Sequence, residues 1–533
     1  MDYRKYHRIV TIIFVFTLLV ACGGGGGGGG GGGVPTTPVE TSFPPSTDFQ
    51  DGVFRESSIF KDACEIPRTP GPGTSFPDYQ GSLLAEKYWL RSWSNETYLW
   101  YDEIIDVDPA SNYDKFDYFD LLKTNGVTPS GTPRDQFHFT RPTEQFEQSS
   151  QSGVNLSYGI RWIFGSNTRP RELYVAYVQP GSTAATAGVV RGMQIMEVDG
   201  VDFVNGNTQE IVNTINAGIF PSVPGESHTF GVLASGSTDT GTYPQLSLIA
   251  GNITNSPVPT TNIIETSTGD VGYIVFHEHI ATAEIALADA ISDLSTSSVT
   301  DLILDLRYNG GGYLAVASQL AYMIAGAANT ENRTFEELQN NDKRTANNTL
   351  MPFINETIGL SAQSGQDLPT LDLNRVFIIT GSSTCSASES IINGLDGIAV
   401  QIIMIGDTTC GKPYGFIPKD NCGTTYFTIQ FRSVNDVGLH DYSDGFTPSN
   451  SGTAGVPILG CAVADDLSKE LGDITEARLA AALAFRNTPL TCPTPPTASS
   501  LFSTQMSPYD QLDIQIHDRR SFSQTNRILG GVR

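Results

Sequence analysis

The run Val376-Phe377-Ile378-Ile379-Thr380-Gly381-Ser382-Ser383-Thr384-Cys385-Ser386-Ala387-Ser388-Glu389-Ser390 changes character halfway. Val376 to Ile379 reads as a buried strand, small residues from Gly381 onward break it, and Ser386 to Leu395 reads as a helix start. A strand therefore delivers a tight turn that carries Ser386. A serine on such a turn is a candidate nucleophile, although small polar residues at a strand end also commonly serve as helix N-caps. A second apolar run, Ile398 to Ile405, precedes Lys412, and the glycines at 406 and 411 let the chain turn back toward the first turn. A Ser-Lys pair becomes the hypothesis to weigh.

The surrounding chain supplies a frame for that pair. Val271 to Phe276 reads as a strand and Thr282 to Leu294 as a helix with Ile285, Ala288, Ala290, Ile291 and Leu294 on its apolar face. Leu302 to Arg307 is a further strand, followed by the turn Asn309-Gly310-Gly311-Gly312 and an apolar helix from Leu314 to Ala325. Strand, helix, strand, glycine turn and helix make a βαβα unit, so an α/β core is expected. Residues from Gly326 to about Pro369 are polar and read as a long excursion or lid. Thr425 to Arg432 alternates as a strand, and Ile474 to Phe485 reads as a closing helix.

Chemistry follows from these positions. A lysine serves as base for a serine only as the neutral amine, and desolvation behind a buried strand lowers an amine's pKa. Acyl transfer also needs N–H groups aimed at the developing oxyanion. The Gly311 and Gly312 amides, with that of Ala387 after the nucleophile, are the candidate donors. A phosphate-binding loop is the rival use of the glycines, but neither a Gly-Lys-Ser/Thr ending nor Gly-x-Gly-x-x-Gly is present. A third arrangement pairs Ser386 with His440-Asp441. The His277-Glu278-His279 run reads as alternating strand residues rather than a metal site, and no metal or organic cofactor is implied.

Upstream, Trp89, Trp93, Tyr98, Leu99, Trp100 and Tyr101 stand at spacings that suit a helix, followed by Phe116, Tyr118, Phe119, Leu121 and Leu122. This is read as a small helical unit packing on a larger body. From Gly153 to about Ile249 short strands take over, with turns at Pro180-Gly181-Ser182 and around Asp199-Gly200. That stretch resembles a PDZ domain. The resemblance implies that amides of the Tyr158-Gly159-Ile160 loop receive a peptide carboxylate while the next strand pairs with the peptide.

Ser386-Ala387-Ser388-Glu389, Gly411-Lys412 and Asp305-Leu306-Arg307-Tyr308-Asn309-Gly310-Gly311-Gly312 together resemble the carboxyl-terminal processing, or tail-specific, serine protease family. The similarity extends over the PDZ-like segment, Tyr98-Leu99-Trp100-Tyr101 and Cys461-Ala462-Val463-Ala464-Asp465-Asp466. It implies an α/β, ClpP/crotonase-like protease core with a PDZ-like β-rich domain and a small helical N-terminal unit. It also implies Ser386 as nucleophile, Lys412 as general base, and Ala387 with Gly311 or Gly312 as oxyanion donors. Many members carry a glutamine four residues after the lysine that orients it; Phe416 stands there in this sequence. Asp396 falls near an acidic position of some members and reads as a helix-surface carboxylate. Substrates would be proteins or peptides with apolar C-terminal tails. The alternative is an inactive, PDZ-containing envelope scaffold or adaptor.

The chain has 533 residues and a net charge of -26, which repels phosphate backbones and argues against nucleic-acid binding. Arg4, Lys5 and Arg8 precede an apolar run from Ile9 to Val20, too short for a good membrane span, that ends in Leu19-Val20-Ala21-Cys22. This resembles a bacterial lipobox, with Cys22 the lipidated residue. The expected organisation is a signal peptide (1–21), a Gly/Pro-rich tether (22–75), a helical unit (76–150), a PDZ-like domain (151–250), the protease core (251–495) and a tail (496–533) of mixed polar composition. Localisation would be the bacterial cell envelope, lipid-anchored to a membrane, the outer one facing periplasm or exterior. Six further cysteines are an even set that an exported protein can pair. Sequence does not rank the pairings; Cys410–Cys422 across a hairpin-like loop and Cys64–Cys492 joining the two ends are two that the spacing suggests.

Overall fold

The computed structural model describes residues 49–494, apart from Pro72, and the backbone of 526–528. The expected signal peptide, Cys22 and the glycine run therefore lie outside the described residues. The tether does not extend to residue 75. Phe60 is fully buried and stacks on Tyr88, Ala63–Cys64 pairs with Tyr79–Gln80, and Cys64 is bonded to Cys422.

Helix α1 (Leu83–Thr97) is capped by Ser82, whose side chain accepts from Ala85 N. Trp89 and Trp93, four residues apart, stack at 5.0 Å and meet Tyr426 of the core. The aromatic run outlasts the helix. At Tyr98 the backbone turns extended, and Leu99 N donates to Ile429 O, so Trp100 and Tyr101 leave the α-helix and pack against the cluster that holds Tyr98, Phe416 and Phe427.

A β-rich module follows. Its sheet runs in the order Gln245–Ile249, Ser227–Leu233, Gln194–Val198, Glu172–Val178 and β1 (Ile160–Ser166), and α2 (Gln209–Ile219) covers it. Leu173, Val175, Val198, Val212, Ile215 and Phe230 are among its own buried core. β1 is an edge strand. Arg191 fastens the module to the core, reaching Ala176 O, Tyr308 Oη and Asp465 Oδ1 from one guanidinium.

The core contains one six-stranded sheet: β2 (Thr260–Ile264), β3 (Val271–Val275), β4 (Asp301–Asp305), β6 (Arg375–Thr380), β7 (Gln401–Gly406) and β9 (Gly460–Ala462), in that order. Only β2 pairs antiparallel. Alternate residues explain why the apolar runs are continuous. Leu302, Leu304, Val376, Ile378, Ile402 and Met404 face one layer, made by α3 (Ala283–Thr296), α4 (Leu314–Ala325) and α5 (Ala387–Gly397). Ile303, Phe377, Ile379, Ile403 and Ile405 face the other, where α6 (Ala477–Asn487) brings Leu479, Ala482 and Phe485. Central parallel strands buried on both faces need no polar alternation.

The stretch after Gly326 is not a structureless lid. Thr334–Asn340 pairs with Thr349–Pro352 and with Phe431–Val434, which also takes β8 (Tyr414–Gly415). A partner nearly a hundred residues away leaves no local pattern to read. Cysteine pairing also departs from expectation: the bonds are Cys64–Cys422, Cys385–Cys410 and Cys461–Cys492. Cys422 lies against the N-terminal segment and Cys492 follows α6 back to β9, so neither suggested pair is formed. A short strand β5 (Gly311–Tyr313) precedes α4, and β10 (Asn526–Ile528) pairs with it in parallel register.

Candidate active site

Strand β6 ends at Thr380, and the turn that follows is built by the side chain of Thr384. Its Oγ1 accepts from Gly381 N and donates to Leu306 O at the end of β4. The turn delivers Ser386 at φ 61° and ψ -116°, a conformation that favours glycine. Ser386 is fully buried, and its Oγ has no hydrogen-bond partner among the described residues. Ser386 is thus both the N-cap residue of α5 and a strained turn residue held by its surroundings.

Glu389 joins this turn to the lysine loop. Its Oε2 accepts from Ser386 N at 2.8 Å and from Lys412 N at 2.9 Å, and Oε1 from Thr409 Oγ1 at 2.6 Å and Gly411 N at 2.9 Å. Two backbones bound to one oxygen lie side by side. Burial pushes the Glu389 carboxyl above its ordinary range, against these four bonds, which favour the carboxylate. The Cys385–Cys410 disulfide crosses the same gap, one residue before Ser386 and two before Lys412. Ser-x-x-Glu ahead of an apolar helix is the spacing of a capping box, so the bond of Glu389 to Ser386 N, though not its hold on the lysine loop, was open to a reading of sequence.

Lys412 is fully buried. Its Nζ lies 3.7 Å from the centroid of the Phe416 ring and 4.7 Å from that of Phe137. The position occupied by glutamine in the resembling family thus presents an aromatic face to Lys412 Nζ. Phe137 carries no spacing signal and was not foreseen.

The glycine turn is held by Asn309. Its Oδ1 accepts from Gly311 N at 2.9 Å and sits 3.0 Å from His279 Nδ1, while its carbonyl accepts from Cys385 N and Ser388 Oγ. Gly311 O accepts from His279 N and His279 O from Tyr313 N, so the N–H and C=O of Gly312 face the opposite edge of β5. At Gly312 φ is 142° and an added Cβ would stand 2.2 Å from His279 O, so only glycine fits. Ala387 opens α5, and the N–H of a first helical residue has no intrahelical acceptor. The structure therefore brings together Ser386, Ala387, Lys412 and the glycine turn, with the Gly311 amide committed to Asn309.

Behind the turn, Arg307 is buried and bonded to Asp305, Asp465 and Glu476, and Asp465 is shared with Arg191 of the β-rich module. His440 is exposed, with Nδ1 3.0 Å from Gly438 O. Asp396 is on the exposed face of α5. His277 is buried and stacks on Tyr177 at 3.9 Å; neither it nor His279 belongs to a metal-competent cluster among the described residues. The one such cluster, Cys385, Glu389 and Cys410, is closed by the disulfide. In the β-rich module Tyr158 is buried with its hydroxyl on Gly218 O, Gly159 N donates to Ser157 Oγ, and Ile160 begins the edge strand β1.

Residues 270–416, which contain Ser386, Lys412 and the glycine turn, match the model of peptidase family S41. A carboxyl-terminal-processing protease of Picosynechococcus sp. is 23% identical over 261 residues, 49% of this chain. The match spans 54% of that relative, about half its length. A solved structure from Bacteroides fragilis NCTC 9343 described as an S41 protease is similar in fold at TM-score 0.57 and 22% identity, covering 79% of this chain and 99% of that one. The core of this chain, 270–416, thus matches the serine-type peptidases of family S41.

Proposed function

We propose that the chain is a serine endopeptidase of the carboxyl-terminal processing type, working through Ser386 and Lys412. The observation that carries the reading is the Glu389 clamp, which binds the Ser386 and Lys412 amides on one carboxylate oxygen beside a strained, unpartnered serine hydroxyl. Neutral Lys412 Nζ takes the proton from Ser386 Oγ as the oxygen adds to the scissile carbonyl. The Ala387 and Gly312 amides stabilise the oxyanion. Lysine then returns the proton to the leaving amine, an acyl-serine remains, and water, deprotonated by the same lysine, releases the new carboxylate. Phe416 and Phe137 take the orienting role on Lys412 that glutamine has in the resembling family.

Three disulfides among the described residues support an exported protein in an oxidising compartment. With the lipobox-like segment at Cys22 they favour an envelope protein tethered to a membrane. The β-rich module, with edge strand β1 beside the Tyr158-Gly159-Ile160 loop, is the part suited to capture an apolar peptide tail in the manner of a PDZ domain.

The test is acylation by a serine-reactive probe together with cleavage of an unfolded protein ending in an apolar tail. Both are expected in the wild-type chain and lost in Ser386→Ala; Lys412→Ala loses turnover by at least about a thousandfold, the scale of a missing base. Undiminished cleavage by Ser386→Ala would overturn the assignment. No labelling and no cleavage by the wild type would favour the inactive scaffold instead.

A further inference from the structure

Strand β5 has two edges, and His279 takes only one of them. The other carries the N–H and C=O of Gly312. It is there that the chain's own residues Asn526–Ile528 add as a parallel strand, with Gly311 opposite Asn526, Gly312 opposite Arg527 and Tyr313 opposite Ile528. The added strand also lies against β8, which follows Lys412, and against α5, which follows Ser386. It thus runs between the two catalytic loops, along the backbone whose amide would meet a substrate carbonyl.

We infer that this edge of β5 is the docking subsite for an extended peptide chain, and that Asn526–Ile528 is its resident occupant, competing with substrate in cis. The inference rests on the peptidase reading for what is being blocked, but not for the docking itself. Main-chain pairing recognises extended backbone with little regard to sequence, so one edge can serve both occupants. Charge favours this segment: 519–533 carries four arginines and no carboxylate side chain, in a chain of net charge -26. Reach is no obstacle, since the thirty or so residues after 494 span up to roughly 100 Å when extended.

The experiment compares the full chain, a chain lacking residues 496–533, and full-chain Arg527→Pro and Ile528→Pro. Residues 49–494 keep both cores and all three disulfides, so the deletion removes one strand and leaves the body. The two prolines remove N–H groups that point to opposite edges of β10, so one of them breaks the pairing. Cleavage of an unstructured fluorogenic peptide reads competition. Anisotropy of a labelled 519–533 peptide on the deleted chain carrying Ser386→Ala reads docking without turnover. The deletion and one proline variant are expected to raise kcat/KM at least fivefold, chiefly through KM, and the labelled peptide to bind saturably and be displaced by the fluorogenic one. If the peptide binds and is displaced while no form of the chain cleaves anything, docking stands and the peptidase reading falls. If the full chain cleaves, the deletion leaves kcat/KM unchanged and the peptide fails to bind, docking is overturned and the peptidase reading stands.

Discussion

Ser386 holds a backbone conformation that costs an L-residue about 1–3 kcal/mol, and its hydroxyl contributes no hydrogen bond in return. Glycine adopts that conformation freely. Ser386→Gly should therefore melt higher than Ser386→Ala, by an amount equivalent to about 1 kcal/mol or more, while both lack turnover; equal melting temperatures would remove the strain from the account. Glu389 makes an opposite case. Four donors converge on its two oxygens, and Glu389→Gln turns an acceptor into a donor facing donors already present. The expected result is about 1–3 kcal/mol less stability in urea titration. A fall in kcat larger than the rise in KM should accompany it, because the bonds lost are those that align Ser386 with Lys412. The closeness of the Ser386 and Lys412 loops was legible from residue type and position, as two small-residue turns after neighbouring apolar strands. Glu389 was legible as a capping-box spacing, but its second task, holding a loop 23 residues on, has no local signature.

At the scale of elements, the strands around the site were legible because both faces of a central parallel sheet are apolar, so β4, β6 and β7 stand out as continuous runs. The sheet formed by 334–340, 349–352 and 431–434 was hidden, since its strands find partners far along the chain and carry charged and polar residues among the apolar ones. The disulfides were hidden for the same reason. Two of them allow a controlled comparison: Cys385–Cys410 and Cys461–Cys492 close loops of similar length, with separations of 25 and 31. Loop-closure entropy then gives each a similar stabilisation, about 3.5 kcal/mol. Replacing either pair by alanine should lower the melting temperature alike, whereas only the Cys385→Ala/Cys410→Ala variant should lose peptidase activity at a temperature where both are folded. Equal activity in the two variants would separate the bond from the site.

At the scale of the whole molecule, three buried histidines set a pH limit. Burial lowers His138 to about 4, against the nearby Asp135. Burial, aided by Arg161, Arg191 and Arg307, lowers His277 to about 3, and burial outweighs the Asn309 hydrogen bond to bring His279 to about 3. In the unfolded chain each would protonate near 6.5. Their neutral forms therefore support the fold fully above about pH 6.5, and that support declines as pH falls toward the folded values. Asp465 adds the same sign: burial opposes its charge, but Arg478, Arg191 and Arg307 hold it well below the usual carboxylate range. Melting temperature should drop steadily between pH 6.5 and 4 in circular dichroism, and a flat profile would contradict the burial of these imidazoles.

The bond between Cys385 and Cys410 has a consequence for when the proposed peptidase site is assembled. A newly made chain in a reducing compartment carries both sulfurs as thiols, and the serine and lysine loops are then joined by hydrogen bonds alone, through Glu389 and from Cys410 N to Thr384 O. Oxidation supplies the covalent tie. On the proposed reading of an exported peptidase, a hydrolase wired in this way would ripen with its surroundings: it would stay blunt beside the cytosolic proteins among which it is synthesised and sharpen where thiols are lost, so delivery itself would act as the maturation step.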